Sequence, residues 1–312
     1  MLPPPGSPAP AEVAGRLHQA LASVVLGRPD ALALTVAGVL AGGHVLVEDV
    51  PGVGKTLLGK ALATAVGGTF GRIQGTADLL PTDVTGVSVH DDRAGRWVFH
   101  PGPVFHHVVL VDELNRATPR AQSALLEAMA EGQVTVDGTA RPLPRPFVVL
   151  ATQNPGGPGT YPLVDGQLDR FSVSVSLGLP PREAERRLLA GEGGLAALDT
   201  LEAVIAPEGL TAAVTATAGV RVGPPVLDYV LDVIGAVRAV HGGTRPSPRA
   251  SQALVAVTRA LAVLAGRTYT TPADVQAAAP AVLAHRLGHG AGLEAARAEV
   301  HRLVATVAVP VG

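Results

Sequence analysis

Glu48-Asp49-Val50-Pro51-Gly52-Val53-Gly54-Lys55-Thr56 decides how this chain is read. An apolar run, His44-Val45-Leu46-Val47, comes before it and reads as a buried strand. Leu57, Leu58, Ala61, Leu62, Ala65 and Val66 follow on one stripe at helical spacing. Strand, glycine-bearing loop and helix form the setting of a phosphate-binding loop. Gly52 and Gly54 allow a tight turn that points backbone N–H groups at an anion. The helix N-terminus behind them adds about half a positive charge. Lys55 can reach β- and γ-phosphates, and the Thr56 hydroxyl can ligate Mg²⁺. One position departs from the pattern G-x-x-x-x-G-K-[ST]: Asp49 stands where its first glycine belongs.

The same alternation recurs downstream. His106 to Val111 reads as a second buried strand, closed by Asp112-Glu113. Carboxylates at the carboxyl end of a parallel strand lie where open α/β sheets bind ligands. Asp112 can hold Mg²⁺ through water, and Glu113 can orient or deprotonate an attacking water. Phe147 to Ala151 reads as a third strand, with Asn154 just beyond it. The Asn154 carboxamide can bond a γ-phosphate or that water, or simply form a turn before Pro155. Leu168-Asp169-Arg170-Phe171 ends a short helix before a fourth strand, Ser172 to Leu177, and Thr69 to Gln74 completes the set.

Two hairpins interrupt this core. Val87 and Val89, then Trp97 and Phe99, alternate around residues 91–95. Asp137-Gly138 is a two-residue turn between 133 and 143. The first hairpin reads equally as a plain solvent-side excursion; Trp97 and Phe99 could form a stacking pair, but are expected to pack against the core, since hairpin aromatics pair across strands. Helices are expected over 11–26 and 29–41, and one begins at Thr118-Pro119.

Pro180-Pro181 marks a boundary, and the pattern beyond it is helical. Leu227, Val230, Leu231, Ile234 and Val237 form the expected apolar stripe of a helix over 226–240. Ser247 and Pro248 read as N-cap and first position of the next helix, which puts Arg249 in its first turn. A cation there opposes the helix dipole and suggests an anion nearby. Thr271-Pro272 starts a further helix, and Pro280 is expected to kink or restart it. The organisation read is therefore a disordered Pro-rich tail over 1–10, an α/β core with insert hairpins over 11–179, and a smaller all-α lid over 180–312.

The 312 residues suffice for a sizeable core. With 47% hydrophobic but only 3% aromatic residues, that core must be built from Ala, Val and Leu. A net charge of −2 gives no electrostatic reason to expect nucleic acid. The absence of cysteine excludes disulfides and thiolate chemistry and suits a cytoplasmic setting. No membrane span is expected: glycines divide the longest uncharged window, 31–47. The histidines lack metal-site spacing.

Several short motifs in one order resemble the MoxR family of AAA+ ATPases, in the clade with an insert in helix 2. They are the loop at 48–56, Asp78-Leu79-Leu80-Pro81, Pro101-Gly102-Pro103-Val104-Phe105, Asp112-Glu113-Leu114-Asn115-Arg116-Ala117, Ala151-Thr152-Gln153-Asn154-Pro155 and Gln167-Leu168-Asp169-Arg170-Phe171. Ser247-Pro248-Arg249-Ala250 and His285-Arg286-Leu287 carry the likeness into the second half. The resemblance implies an AAA+ P-loop core of parallel sheet and flanking helices. It implies ATP and Mg²⁺ as cofactors, with Val25, Gly27, Pro51, Gly52, Val53, Gly54, Lys55, Thr56, Leu57 and Asp112 around the nucleotide. Thr56 and Asp112 would serve the metal. Glu113 is the implied catalytic carboxylate, Asn154 resembles sensor 1, Arg249 resembles sensor 2, and Arg170 resembles an arginine finger given across a subunit boundary. The implied assembly is a homo-oligomer, a hexameric ring. Its implied partner is a protein substrate, in this family one with a von Willebrand factor A domain. The residues at 156–158 and 164–166 and the stretch 191–223 depart from the family pattern. An ATP-switched regulatory module with little turnover is the alternative in a different class, and a nucleic-acid motor is a third.

Overall fold

The computed structural model describes residues 8–50, 52–93, 95–153, 159–161, 163–243, 245–287 and 292–310. Helices α1 (Pro10–Val24) and α2 (Pro29–Leu40) both start at a proline, whose fixed φ and missing N–H suit a first helical turn. The chain then alternates strand and helix: β1 (His44–Glu48), α3 (Lys55–Ala65), β2 (Phe70–Gln74) and the short α4 (Pro81–Thr85). The hairpin β3 (Gly86–Asp91) and β4 (Arg96–Pro101) precedes β5 (Val108–Asp112) and α5 (Pro119–Glu131). Thr118 caps α5, its hydroxyl accepting from the Ala121 N–H at 3.3 Å. A second hairpin, β6 (Gln133–Val136) and β7 (Thr139–Pro142), turns on Asp137 and Gly138, both at positive φ. β8 (Val148–Gln153), α6 (Asp165–Leu168) and β9 (Phe171–Val175) complete the sheet.

That sheet has the order β2-β5-β8-β1-β9, with every neighbouring pair parallel. β5, β8 and β9 are buried along their whole length and β1 along nearly all of it, as both-face coverage by helices requires. From β1 the chain runs to the β2 edge, and from β8 it crosses back over β1 to β9. The connections leaving β1 and β8 therefore diverge and open a crevice at the carboxyl ends of the strands.

After β9 the described chain is helical: α7 (Arg182–Leu189), α8 (Gly194–Asp199), α9 (Pro207–Ala218), α10 (Pro224–Val240), α11 (Pro248–Leu264), α12 (Pro272–Leu283) and α13 (Leu293–Thr306). α8 to α13 share one apolar core with α1, α2 and one face of the sheet. α9 falls in the stretch with no family likeness and packs on α1, α2 and α11 through Leu210 and Ala213. Three expectations change here. The buried face of α10 is Val226, Tyr229, Val230, Val233, Ile234 and Val237, whereas Leu227 and Leu231 are 42% and 59% exposed. α10 is apolar around much of its circumference, and the larger neighbour Tyr229 fixes which side turns inward. α12 runs through Pro280 without a restart, because Ala278, Ala279, Ala281, Val282 and Leu283 are all buried around it. Trp97 does not pack into the core. It is 70% exposed and stacks edge-on with His90 across the hairpin, while Phe99 packs on Phe105 beneath the Arg141 guanidinium.

Two buried polar side chains tie this architecture together. His44 opens β1 as a neutral imidazole: Nε2–H donates to the Met129 carbonyl at 3.2 Å and Nδ1 accepts from the Val149 N–H at 3.1 Å. Burial pushes its pKa down to about 4, outweighing the upward pull of the Met129 bond. Arg286, in the short turn after α12, is 4% exposed. It donates to Asp169 Oδ1 at 2.9 Å, to the Phe171 carbonyl at 2.6 Å and to the Val282 carbonyl, so one fork joins α12 to α6 and β9. Burial lowers this guanidinium to about 10 against the pull of Asp169.

His44 generates a pH dependence. Between its folded pKa of about 4 and the ordinary 6.5, the unfolded chain binds more protons, so stability rises with pH across that window. Acidification from 6.5 to 4 should remove roughly 3 kcal/mol through this residue. Urea titrations at stepped pH check it: His44→Gln should give a visibly shallower slope than wild type. Arg286→Ala should cost about 3–5 kcal/mol in the same assay, since it strands the Asp169 carboxylate and two carbonyls. Arg286→Lys should recover little of that, because an ammonium cannot reproduce the planar fork.

Candidate active site

The site begins where β1 ends. Gly52 and Gly54 take φ of +87° and +99°, backbone that side chains rarely adopt, and this folds the loop into the N-terminus of α3. Lys55 is the first residue of that helix, and Thr56 shares its first turn. The Lys55 ammonium donates to the Asp49 carbonyl at 2.8 Å. Burial lowers its pKa, and the nearby charges of Asp49, Asp112 and Glu113 oppose that shift. Lys55, Asp112 and Glu113 are thus within electrostatic reach of one another, although they come from two different strand ends.

Asp112 is the last residue of β5 and is buried. Arg72, on the neighbouring β2, engages its Oδ2 through Nε at 2.8 Å and Nη2 at 2.7 Å. Glu113 takes a left-handed backbone, φ 54°, uncommon for a residue with a Cβ. Its N–H donates to Thr152 Oγ1 on β8 at 2.9 Å, which fixes the turn. Its carboxylate pairs with Arg116 at 3.0 Å and lies 3.5 Å from the Gln74 carboxamide. A Thr56 hydroxyl with the Asp112 carboxylate is a hard-oxygen pair of the kind Mg²⁺ takes alongside phosphate oxygens. Among the described residues no group of three or more His, Asp or Glu could cage a metal alone. A metal shared with phosphates fits that donor set better than a resident one.

Beside the loop lies a cavity of about 180 Å³. Gly52, Val53, Gly54 and Leu57 form one side, Val24 to Leu26 with Arg28 a second, and Leu177, Gly178, Pro180 and Leu188 a third. Its mostly apolar lining next to an anion cradle suits a flat heteroaromatic base joined to phosphates. Val25 lines it. Gly27 acts differently: its φ is +81°, and a Cβ there would stand 2.6 Å from Ala184 and 2.8 Å from Pro181. It permits the close approach of α7 that shapes the third wall. Sequence reasoning missed that wall. Pro180 was visible only as a boundary, and nothing local tied Leu177 to the loop at Gly52.

Pro51 and Asn154 lie outside the described residues. Arg170 and Arg249 are described and stand elsewhere. Arg170 immediately precedes β9, at the amino end of a strand paired in parallel with β1, His44 to Phe171 and Val47 to Val175. The phosphate loop leaves the carboxyl end of β1, about 13 Å away at 3.3 Å per residue. The segment ahead of Arg249 is at the same end as Arg170. Arg245 pairs with Asp165, and a cavity of about 260 Å³ is lined by Asp165, Asp169, Arg245, Pro246, Ser247 and Arg286. Arg249 itself is exposed. Ser247 stands at the N-cap position of α11, but its hydroxyl makes no capping bond.

Residues 44–173 match the model of the ATPase family associated with various cellular activities (AAA), and residues 244–305 match an AAA lid domain. The chain is 43% identical to YeaC of Bacillus subtilis over 95% of both chains. It is 39% identical to chaperone MoxR1 of Mycobacterium tuberculosis, covering 85% of this chain and 72% of that one. A candidate ATPase from Cytophaga hutchinsonii superposes with a TM-score of 0.82 at 31% identity, covering 97% and 96% of the two chains. An MCM homologue from Methanopyrus kandleri shares the fold at a TM-score of 0.58 and 20% identity, over 88% of this chain and 61% of that one. A parallel sheet with a glycine loop at its carboxyl edge, followed by a helical lid, makes this chain a member of the MoxR family of AAA+ ATPases.

Proposed function

We propose that this chain hydrolyses ATP in a ring of identical subunits and uses the energy to remodel a protein partner. The observation that carries the reading is the split in its charged residues. Lys55, Asp112 and Glu113 converge beside the cavity, whereas Arg170 stands at the opposite end of the sheet. In this reading the cavity takes the adenine, and the loop amides with Lys55 hold the phosphates. Thr56 and Asp112, the latter through water, would hold Mg²⁺, which would supply neutralisation of phosphate charge. Glu113 orients and deprotonates the attacking water, with Asn154 as its assistant. Arg170 is too far from its own subunit's loop to stabilise the transition state there, so a neighbour must supply it. Arg249 belongs with it, since its segment packs against the helix that leads into Arg170.

A hexamer is the ring we infer, by family resemblance. The core and lid divide at residues 179 and 180. The exposed Trp97, Val87 and Val89 on the β3–β4 hairpin support a protein partner, because apolar side chains there suit peptide better than phosphate, and family resemblance suggests one with a von Willebrand factor A domain. A nucleic-acid partner would require a basic surface, and the chain carries a net charge of −2. We assign it to the cytoplasm, where ATP and Mg²⁺ are plentiful.

Turnover against protein concentration tests the reading. Specific activity should climb steeply as subunits assemble, and Arg170→Ala should lower kcat by about 10³–10⁵. Glu113→Gln should keep ATP affinity and lose turnover. Mixing these two inactive variants should restore activity, because a mixed ring sets an intact Arg170 beside an intact Glu113. Specific activity that stays flat on dilution through the monomer range, or no recovery on mixing, contradicts the trans arrangement. ATP binding without turnover in any assembled state would instead favour a nucleotide-switched module.

A further inference from the structure

Asp49 occupies the loop position where the phosphate-binding pattern has glycine, and its surroundings explain why. Its carboxylate is buried, with 8% of the residue exposed. Oδ1 accepts from the Ser176 hydroxyl at 2.9 Å and from the Gly178 N–H at 3.0 Å, and Oδ2 accepts from the Leu177 N–H at 2.5 Å. Its own carbonyl accepts the Lys55 ammonium at 2.8 Å. One residue therefore grips the phosphate-binding lysine with its backbone and the turn after β9 with its side chain. Leu177 and Gly178 of that turn form the wall of the cavity opposite Val53 and Leu57. A carboxylate beside an anion cradle repels the ligand, so charge alone disfavours it there. Three hydrogen bonds to a single carboxylate offset that cost only if the geometry they hold is useful.

We propose that Asp49 is a positioning residue that locks the base-binding wall to the phosphate loop, so that both halves of an adenine nucleotide are bound in one register. This rests on the nucleotide reading above. A glycine at position 49 leaves the loop free to cradle phosphate but lets the 176–178 turn drift. The contribution of Asp49 is thus specific to ligands that carry a base.

Calorimetric titration with ATP and with inorganic tripolyphosphate separates the possibilities, with thermal melts to verify folding. Asp49→Asn keeps the shape but turns one acceptor into a donor facing N–H groups. It should weaken ATP about tenfold or more, the loss expected for two to three hydrogen bonds, while tripolyphosphate binds no more weakly than to wild type, since a repelling charge has gone. Asp49→Gly restores the common loop sequence and should still lose ATP selectively. Unchanged ATP affinity, or equal losses for both ligands, would overturn the proposal. If neither variant folds, Ser176→Ala carries the same ratio: a several-fold loss confined to ATP supports it, and equal affinities overturn it. Wild type that binds tripolyphosphate but not ATP would sink the nucleotide reading itself, whereas wild type that binds ATP as well as Asp49→Asn does would sink only the role of Asp49.

Discussion

A lysine ammonium partly withdrawn from water, at the carboxyl edge of a parallel sheet, is the charge on which the rest depends. Lys55 can be held there only because β1 delivers the loop and α3 begins at once behind it. Asp112 and Glu113 arrive from β5, two strands away in the order β2-β5-β8-β1-β9. Burial pulls the ammonium toward neutrality, and the carboxylates pull it back. A polyanion with a metal ion would suit both sides, the oxygens facing Lys55 and the cation facing Asp112. Lys55 bonds the Asp49 carbonyl, and Arg72 bonds Asp112.

The sheet also explains why Arg170 stands apart from the phosphate loop of its own chain. Parallel strands send all their carboxyl ends to one edge, so a side chain that precedes a strand is a full strand length from the loops that follow its neighbours. Arg170 precedes β9, and Arg286 fixes that end by bonding Asp169 and the Phe171 carbonyl at once. The lid takes part in the same construction. α11 and α12 pack on β9 and α10 packs on α13, so the lid helices lie in one continuous core with the sheet.

How much of this could be read beforehand followed the range of the interactions. The strand, the glycine turn and the helix at 44–66 were legible because each depends on residues within a few positions of itself. The Asp137-Gly138 hairpin and the Thr118 cap were legible for the same reason. The role of Asp49 was not: its partners lie 127 to 129 residues on, and locally it looked like a mismatch. The third wall of the cavity was hidden likewise. α10 was read in part: Val230, Ile234 and Val237 are buried as expected, but apolar residues surround most of the helix, so periodicity also drew in the exposed Leu227 and Leu231. α9 gave a weak signal, being built largely of Ala and Thr between glycines. Trp97 was assigned to a core it does not join, since a hairpin that projects has no second layer to cover it.

A crystal structure of the wild type with Mg²⁺ and a non-hydrolysable ATP analogue tests the central claim most directly. The account predicts the base between Val25, Leu57 and Pro180, and Lys55 moved from the Asp49 carbonyl onto β- and γ-phosphate oxygens. A nucleotide bound away from this cavity, or a Lys55 that keeps its bond to Asp49 while the phosphates lie elsewhere, would contradict it.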